Sequence, residues 1–178
     1  LEIATADVLT GNATLGTLTA ADVLSFTVTD ASLFVGSGAS LNASRDGIET
    51  GSAVGFSVSG ASFSMASVTA GGASYTGVSA GVSQAALVGV SGVDLQVSGT
   101  VKLNQAPGAD RIDWDSATTD PAGLLPSLDI DQSVQLTVTA AGSLDIGGAV
   151  VAVVPADGLT LEIATADVLT GNATLGTL

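Results

Sequence analysis

The chain has 178 residues, 17 acidic against 3 basic side chains, a formal net charge of −14, and neither His nor Cys. Nucleic-acid binding requires clustered Lys and Arg, so this charge excludes nucleic acid as a partner and disfavours anionic membrane surfaces. Without His and Cys, zinc and iron sites built on these residues and Ser-His-Asp or Cys-His catalysis are excluded, and the absence of a long apolar run predicts no membrane insertion.

The first eighteen residues, LEIATADVLTGNATLGTL, recur without a substitution from Leu161 to Leu178. Because position 161 repeats position 1, the sequence has a period of 160 residues. Two copies inside one ordinary domain would occupy different environments and diverge, whereas a tandem array favours identity. We therefore predict one full repeat at residues 1–160 and the start of the next identical repeat at 161–178. An engineered overlap is the alternative.

A shorter motif recurs inside the repeat: two apolar residues separated by one position, a short gap, and a second such pair. The examples are FTVTDASLFV, FSVSGASFSM, VGVSGVDLQV and LTVTAAGSLDI, with a weaker fifth in LEIATADVLT. In a strand, this alternation places the apolar side chains on one face and Ser or Thr on the other. The motif predicts five β subunits per repeat, each with two short strands joined by a bend of small residues.

The fold expected from these subunits is all-β, and we predict a β-solenoid, similar to a parallel β-helix, in which equivalent strands stack from coil to coil. Recurrence of one motif, small side chains and an aromatic content of 3% favour this architecture. Asp-Gly and Asn-Gly hairpin turns are also scarce. The unequal spacing of the subunits weighs against a regular coil, and tandem β-sandwich domains are the alternative.

The insert at residues 104–127 interrupts the uniform composition, because it holds three of the four Pro and the single Trp. Loops of this kind often carry binding functions, so Trp114 is the predicted partner contact. The carboxylates in and after the insert are candidate calcium ligands, since calcium binds six to eight oxygens. These candidates are Asp110, Asp113, Asp115, Asp120, Asp129 and Asp131. The alternative is that they cap turns by accepting backbone N–H bonds.

Asp113 and Asp115 flank Trp114, and paired carboxylates beside an aromatic ring are also typical of glycoside hydrolases. Carboxylates two positions apart on a Pro-rich loop are nevertheless common by chance. An identical tandem repeat also argues against one dedicated active site. We therefore expect a protein that is not an enzyme.

The segments VSGVDLQVSGTVKLNQ and FSVSGASFSMASV resemble repeats of very large, secreted bacterial surface proteins, both adhesin-like and filamentous-haemagglutinin-like. The resemblance covers the motif-bearing residues from about 23 to 154 and implies an elongated, β-rich filament or stalk at the cell surface. It transfers no catalytic residue. The calcium-binding nonapeptide of many such proteins is missing from this sequence.

These observations predict a structural repeat of an extracellular fibre or adhesin stalk that assembles by strand stacking along the array. Its expected partners are identical neighbouring repeats, end to end, with lateral self-association or a surface glycan as further possibilities. The alternative function is a calcium-dependent or glycan-binding module that uses the acidic residues 104–131.

Overall fold

A computed structural model describes residues 1–165, apart from the side chain of Asp157, and its regular secondary structure there consists of β-strands. The strands are β1 (Glu2–Leu9), β2 (Thr17–Ser37), β3 (Ser40–Leu41), β4 (Ile48–Glu49), β5 (Val54–Ala70), β6 (Ala73–Val88), β7 (Val93–Gln105), β8 (Thr118–Asp120), β9 (Val134–Ile146) and β10 (Val150–Ala164). In this part of the chain no helix is long and apolar enough to cross a membrane. Most of the predicted second copy, residues 166–178, lies outside the described residues.

Eight strands form one open sheet in the order β10-β9-β7-β6-β5-β2-β1-β8, and β3 pairs with β4 separately. Every neighbouring pair of strands is antiparallel. The chain is thus all-β, but the predicted β-solenoid is wrong, because a parallel coil requires parallel strands. The described residues also lack the two large facing sheets of the sandwich alternative.

Glycine-rich hairpins explain why the strands run antiparallel. Gly71 and Gly72, with φ of 57° and 83°, form a two-residue loop between the paired residues Ala70 and Ala73. Positive φ at both loop positions matches the right-handed twist of the flanking strands and is accessible to glycine at little cost. Gly147 and Gly148, also at positive φ, turn the chain from β9 into β10. Gly-Gly pairs are therefore the hairpin signal in this sequence.

The recurring motif lies within single long strands at three of its positions, not in pairs of short strands. Val28 and Leu33 both belong to β2, although an odd spacing of five residues would place them on opposite faces of a regular strand. A β-bulge with Asp30 at φ 54° adds the residue that restores the common face. Gly60, at φ 61°, lies in the equivalent gap of β5. In β9 the gap has an even spacing, and the pairing with β7 is regular.

The two faces of the sheet differ in polarity. One row of directly paired residues crosses six strands through Phe26, Met65, Val78, Leu103, Leu136 and Ile163. The face that carries this row, the apolar face, continues along each strand at alternate positions. The opposite, polar face is rich in Ser and Thr, and the hydroxyls of Thr100 and Thr139 hydrogen-bond there at 2.7 Å.

The hydrophobic core lies at one end of the polar face, where the segment between β7 and β9 folds across the sheet. Ile112, Leu128 and Ile130 from this segment are fully buried. They pack with Trp114 and Tyr75 against small residues of the strands. Those strand residues are Ala6, Val8, Ala21, Val23, Ala66 and Val68. Burying one large apolar side chain contributes about 1.5–3 kcal/mol, so the insert is a main source of stability.

Candidate functional site: the buried insert and the open sheet edge

Trp114 is buried, with 3% of its surface exposed. Its indole Nε1 donates a hydrogen bond of 2.9 Å to Oδ1 of Asn104, which is fully buried. The Asn104 amide nitrogen donates to the carbonyl oxygens of Ile112 at 2.9 Å and Asp131 at 3.1 Å. The structure therefore places the predicted partner contact inside the protein, where the indole is engaged by the sheet.

The strand beneath Trp114 provides space for its ring through a glycine. A Cβ atom added to Gly77 would lie 2.5 Å from Cδ1 of Leu128 and 2.7 Å from Cε2 of Trp114. The Leu128 side chain could rotate away, but the contact with the indole requires displacement of Trp114. Gly77 thus determines where the insert packs, a role that its sequence context, SYTGVS, does not reveal.

The six candidate calcium ligands are spread over the insert and the residues that follow it, and five of them are exposed, Asp113 being half-buried. Within residues 1–165, no three acidic side chains come together as a group that could hold a metal ion. The calcium prediction therefore gains no geometric support. Asp113 and Asp131 make local contacts, and Asp129 contacts Lys102 on β7.

Those local contacts resemble turn capping. Asp131 Oδ1 accepts hydrogen bonds from the Ser133 backbone at 2.7 Å and hydroxyl at 2.6 Å. The Ser133 hydroxyl, followed by the Ser133 and Val134 amides, lowers the pKa of Asp131 against the opposing effect of its slight burial. Asp113 Oδ1 accepts from the Asp115 amide at 3.2 Å, and Asp129 forms an ion pair with Lys102. The contacts of Asp113 and Asp131 are those expected of the capping alternative, whereas the ion pair of Asp129 with Lys102 joins distant parts of the chain.

The first copy of the repeated segment binds the insert through two buried polar residues. Thr10 accepts a backbone hydrogen bond from Asp113 at 3.0 Å, and its hydroxyl donates to Gly16 at 2.7 Å. The Asn12 amide donates to the Arg111 carbonyl at 2.8 Å. The Asn12 side-chain oxygen also accepts from the amides of Thr14 and Leu15. Sequence reasoning missed Asn12 and Asn104, although Asn in a Gly-containing turn such as TGNAT is a recognisable capping signal.

The repeated segment occupies two different sheet positions. In the first copy, β1 pairs with β2 along its length, but its other edge pairs with β8 only at Asp7–Leu9. The backbone of Glu2–Ala6 has no strand on that side among the described residues. In the second copy, Leu161–Ala164 forms the end of β10 and pairs with β9. The Thr165 amide extends this pairing by donating to the Ser133 carbonyl at 2.8 Å.

Comparison with known proteins gives no family assignment: no protein-family model, no curated protein and no solved structure matches the chain.

Proposed function

We propose that the chain is a structural repeat of an extracellular fibre or adhesin stalk, built to continue one antiparallel sheet from repeat to repeat. The observation that carries this proposal is the placement of the two copies of LEIA. They lie at Leu1–Ala4 and Leu161–Ala164, toward opposite edges of one open sheet. An open sheet presents unpaired backbone groups at its edges, and these favour pairing with a further strand.

The distribution of chemistry over the molecule supports a structural role. The insert, which composition singled out as a binding loop, supplies core side chains such as Ile112 and Trp114. The repeated segment supplies Ala6 and Val8 to the same core, and its buried polar residues Thr10 and Asn12 bind the insert. Extracellular placement rests on the resemblance to giant secreted bacterial surface proteins.

Lateral association belongs to this proposal as well, through the apolar face. Its exposed side chains include Leu33, Val35 and Phe56. A hollow of about 430 Å³ between β7, β9 and β10 is lined largely by apolar residues such as Leu95 and Leu159. Exposed apolar surfaces of this extent usually mark interaction sites. A second copy of the chain is the partner with matching chemistry.

The glycan- or calcium-binding alternative through residues 104–131 has less support, because the indole of Trp114 is buried and the aspartates are dispersed.

The proposal is tested by the length of chains with two, three and four repeats, measured by electron microscopy. From β1 to β10 the sheet order advances by six strands. With about 4.8 Å between neighbouring strands, each repeat should add roughly 29 Å along the sheet. A constant increment near this value supports a continuous fibre. Increments that vary from particle to particle, as in flexibly linked beads, would contradict it.

A further inference from the structure

We propose that neighbouring repeats share one strand: the strand that begins LEIATADVL is the last strand of one repeat and β1 of the next. This inference rests on the proposed tandem array and names the contact that joins its repeats. The partner surface is the edge of β9, residues Val134–Val138, and its occupant is the start of the following repeat.

The two copies have the same orientation in the sheet. Six successive antiparallel steps lead from β10 to β1, so these strands point in the same direction. Ile3 lies opposite Leu24, which shares a face with Phe26, and Ile163 lies in the same apolar row as Phe26. Both copies therefore present the same side chains to the same face.

Their neighbours, in contrast, lie on opposite sides. The two copies can be compared directly, because they share direction and face. In the sheet order, β2 lies on one side of the first copy, and β9 lies on the opposite side of the second copy. The edge of Glu2–Ala6 that lacks a strand is thus the edge through which Leu161–Ala164 pairs with β9. One strand can hold β9 of one repeat and β2 of the next without competition.

Side-chain requirements lead to the same conclusion. In the first copy, Ala6, Val8, Thr10 and Asn12 are buried against the insert of their own repeat. The second copy carries the same residues at positions 166, 168, 170 and 172. The insert at 104–127 is already occupied by the first copy, so the second copy requires the insert of a following repeat.

Thr165 and its counterpart in the first copy, Thr5, are a matched pair of positions for a test. The Thr165 amide donates to Ser133 on β9. Since the copies share direction and face, the Thr5 amide points to the same side, which in the first copy is the open edge. Proline removes an amide donor and is tolerated on an edge that faces solvent. Thr165→Pro should therefore break the junction, whereas Thr5→Pro should not.

The experiment uses a two-repeat chain in which residues 1–160 occur twice in succession, so that the repeated segment stands once at the start and once at the junction. Hydrogen exchange is followed by mass spectrometry, and peptides that extend back into Leu159 and Thr160 identify the junction copy. Amides of the junction copy that point toward β9 should exchange about tenfold more slowly than the equivalent amides of Glu2–Ala6 in the first copy, because only the former have a strand partner. Thr165→Pro should abolish this difference, and Thr5→Pro should preserve it.

One control separates the backbone from the side chain. The Arg111 guanidinium donates to the Thr165 hydroxyl at 2.6 Å, so Thr165→Val removes this contact but keeps the amide. It should retain slow exchange at the junction. Equal exchange in both copies of the unmodified two-repeat chain would overturn the shared strand. Equal exchange together with a constant length increment per repeat would overturn the shared strand but still support the fibre. Slow exchange at the junction together with variable increments would support the shared strand but contradict the fibre.

Discussion

At the scale of residues, the hydrophobic core is bordered by a buried amide, the side chain of Asn104. Asn104 satisfies three groups that the insert buries: the Trp114 indole and the carbonyls of Ile112 and Asp131. A buried polar group without a partner costs more than an average hydrogen bond contributes. Asn104 therefore allows a Trp-containing segment to lie against the polar face of a sheet.

Replacing Asn104 by Leu should destabilise the protein by about 2–4 kcal/mol, since several buried polar groups would lose their partner. Urea denaturation followed by Trp114 fluorescence measures both the free energy of unfolding and the exposure of the indole. The matched control is Gln105→Leu at the neighbouring, exposed position, which should change stability by less than about 0.5 kcal/mol. Equal effects of the two substitutions would contradict the role assigned to Asn104.

Residue types alone could not place Trp114. The insert is rich in Pro and Asp and has the composition of a surface loop, which predicts that its aromatic side chain contacts a partner. The evidence for burial is distributed over distant positions: Asn104 as the partner of Nε1 and Gly77 as the space for the ring. Capping by Asp113 and Asp131 was within reach of the sequence, because it depends on residues two or three positions away.

At the scale of strands, the alternation of apolar and polar residues predicts which side chains share a face of the sheet. Where the two apolar pairs of the motif are separated by an odd number of positions, a bulge keeps both pairs on that face. The sequence pattern around Asp30 and Gly60 was interpreted as a bend between two strands. Both positions have positive φ, and each lies inside one long strand. A bend and a bulge use the same residue types, so local sequence does not distinguish them.

Substitutions at the two bulges should differ in their effect on stability. Gly60→Ala should cost about 1–2 kcal/mol, because a Cβ in the left-handed region is strained. That Cβ would also lie 2.7 Å from the Ser83 hydroxyl oxygen. Asp30 already has a side chain at φ 54°, so Asp30→Gly should be neutral or slightly stabilising. Thermal melting of both variants checks this, and a loss of stability at Asp30→Gly that matches Gly60→Ala would contradict the assignment.

At the scale of the whole molecule, strand direction was the property that the sequence analysis predicted wrongly. A repeated motif with two apolar pairs fits both stacked coils and adjacent antiparallel strands, because each places equivalent residues side by side. The loops decide between them, and Gly71-Gly72 closes a tight hairpin. The period of 160 residues predicts a tandem array, whereas the edges that we propose as the contact between repeats depend on the sheet order, which the period does not determine.

The apolar face of the sheet has no covering layer. The distribution of charge favours association of this face with the apolar face of another molecule of the same chain. Asp94 and Asp145 lie opposite one another on the polar face, and Glu162 lies opposite Thr137 there. Two polar faces in contact would bring carboxylates together, whereas two apolar faces would not. We therefore expect the 178-residue chain to self-associate through its apolar faces.

Two adjacent residues of β10 test this expectation. Val154, 45% exposed, lies opposite Gly142 on the apolar face, and Val153, 67% exposed, lies opposite Ser143 on the polar face. Val154→Glu places a charge where an apolar partner would bury it and should shift the chain toward monomer in sedimentation equilibrium. Val153→Glu introduces the same charge on the other face and should leave the association constant nearly unchanged, although its side chain is the more exposed. A chain that is monomeric at all concentrations, or that responds equally to both variants, would show that the apolar face is not the contact between copies.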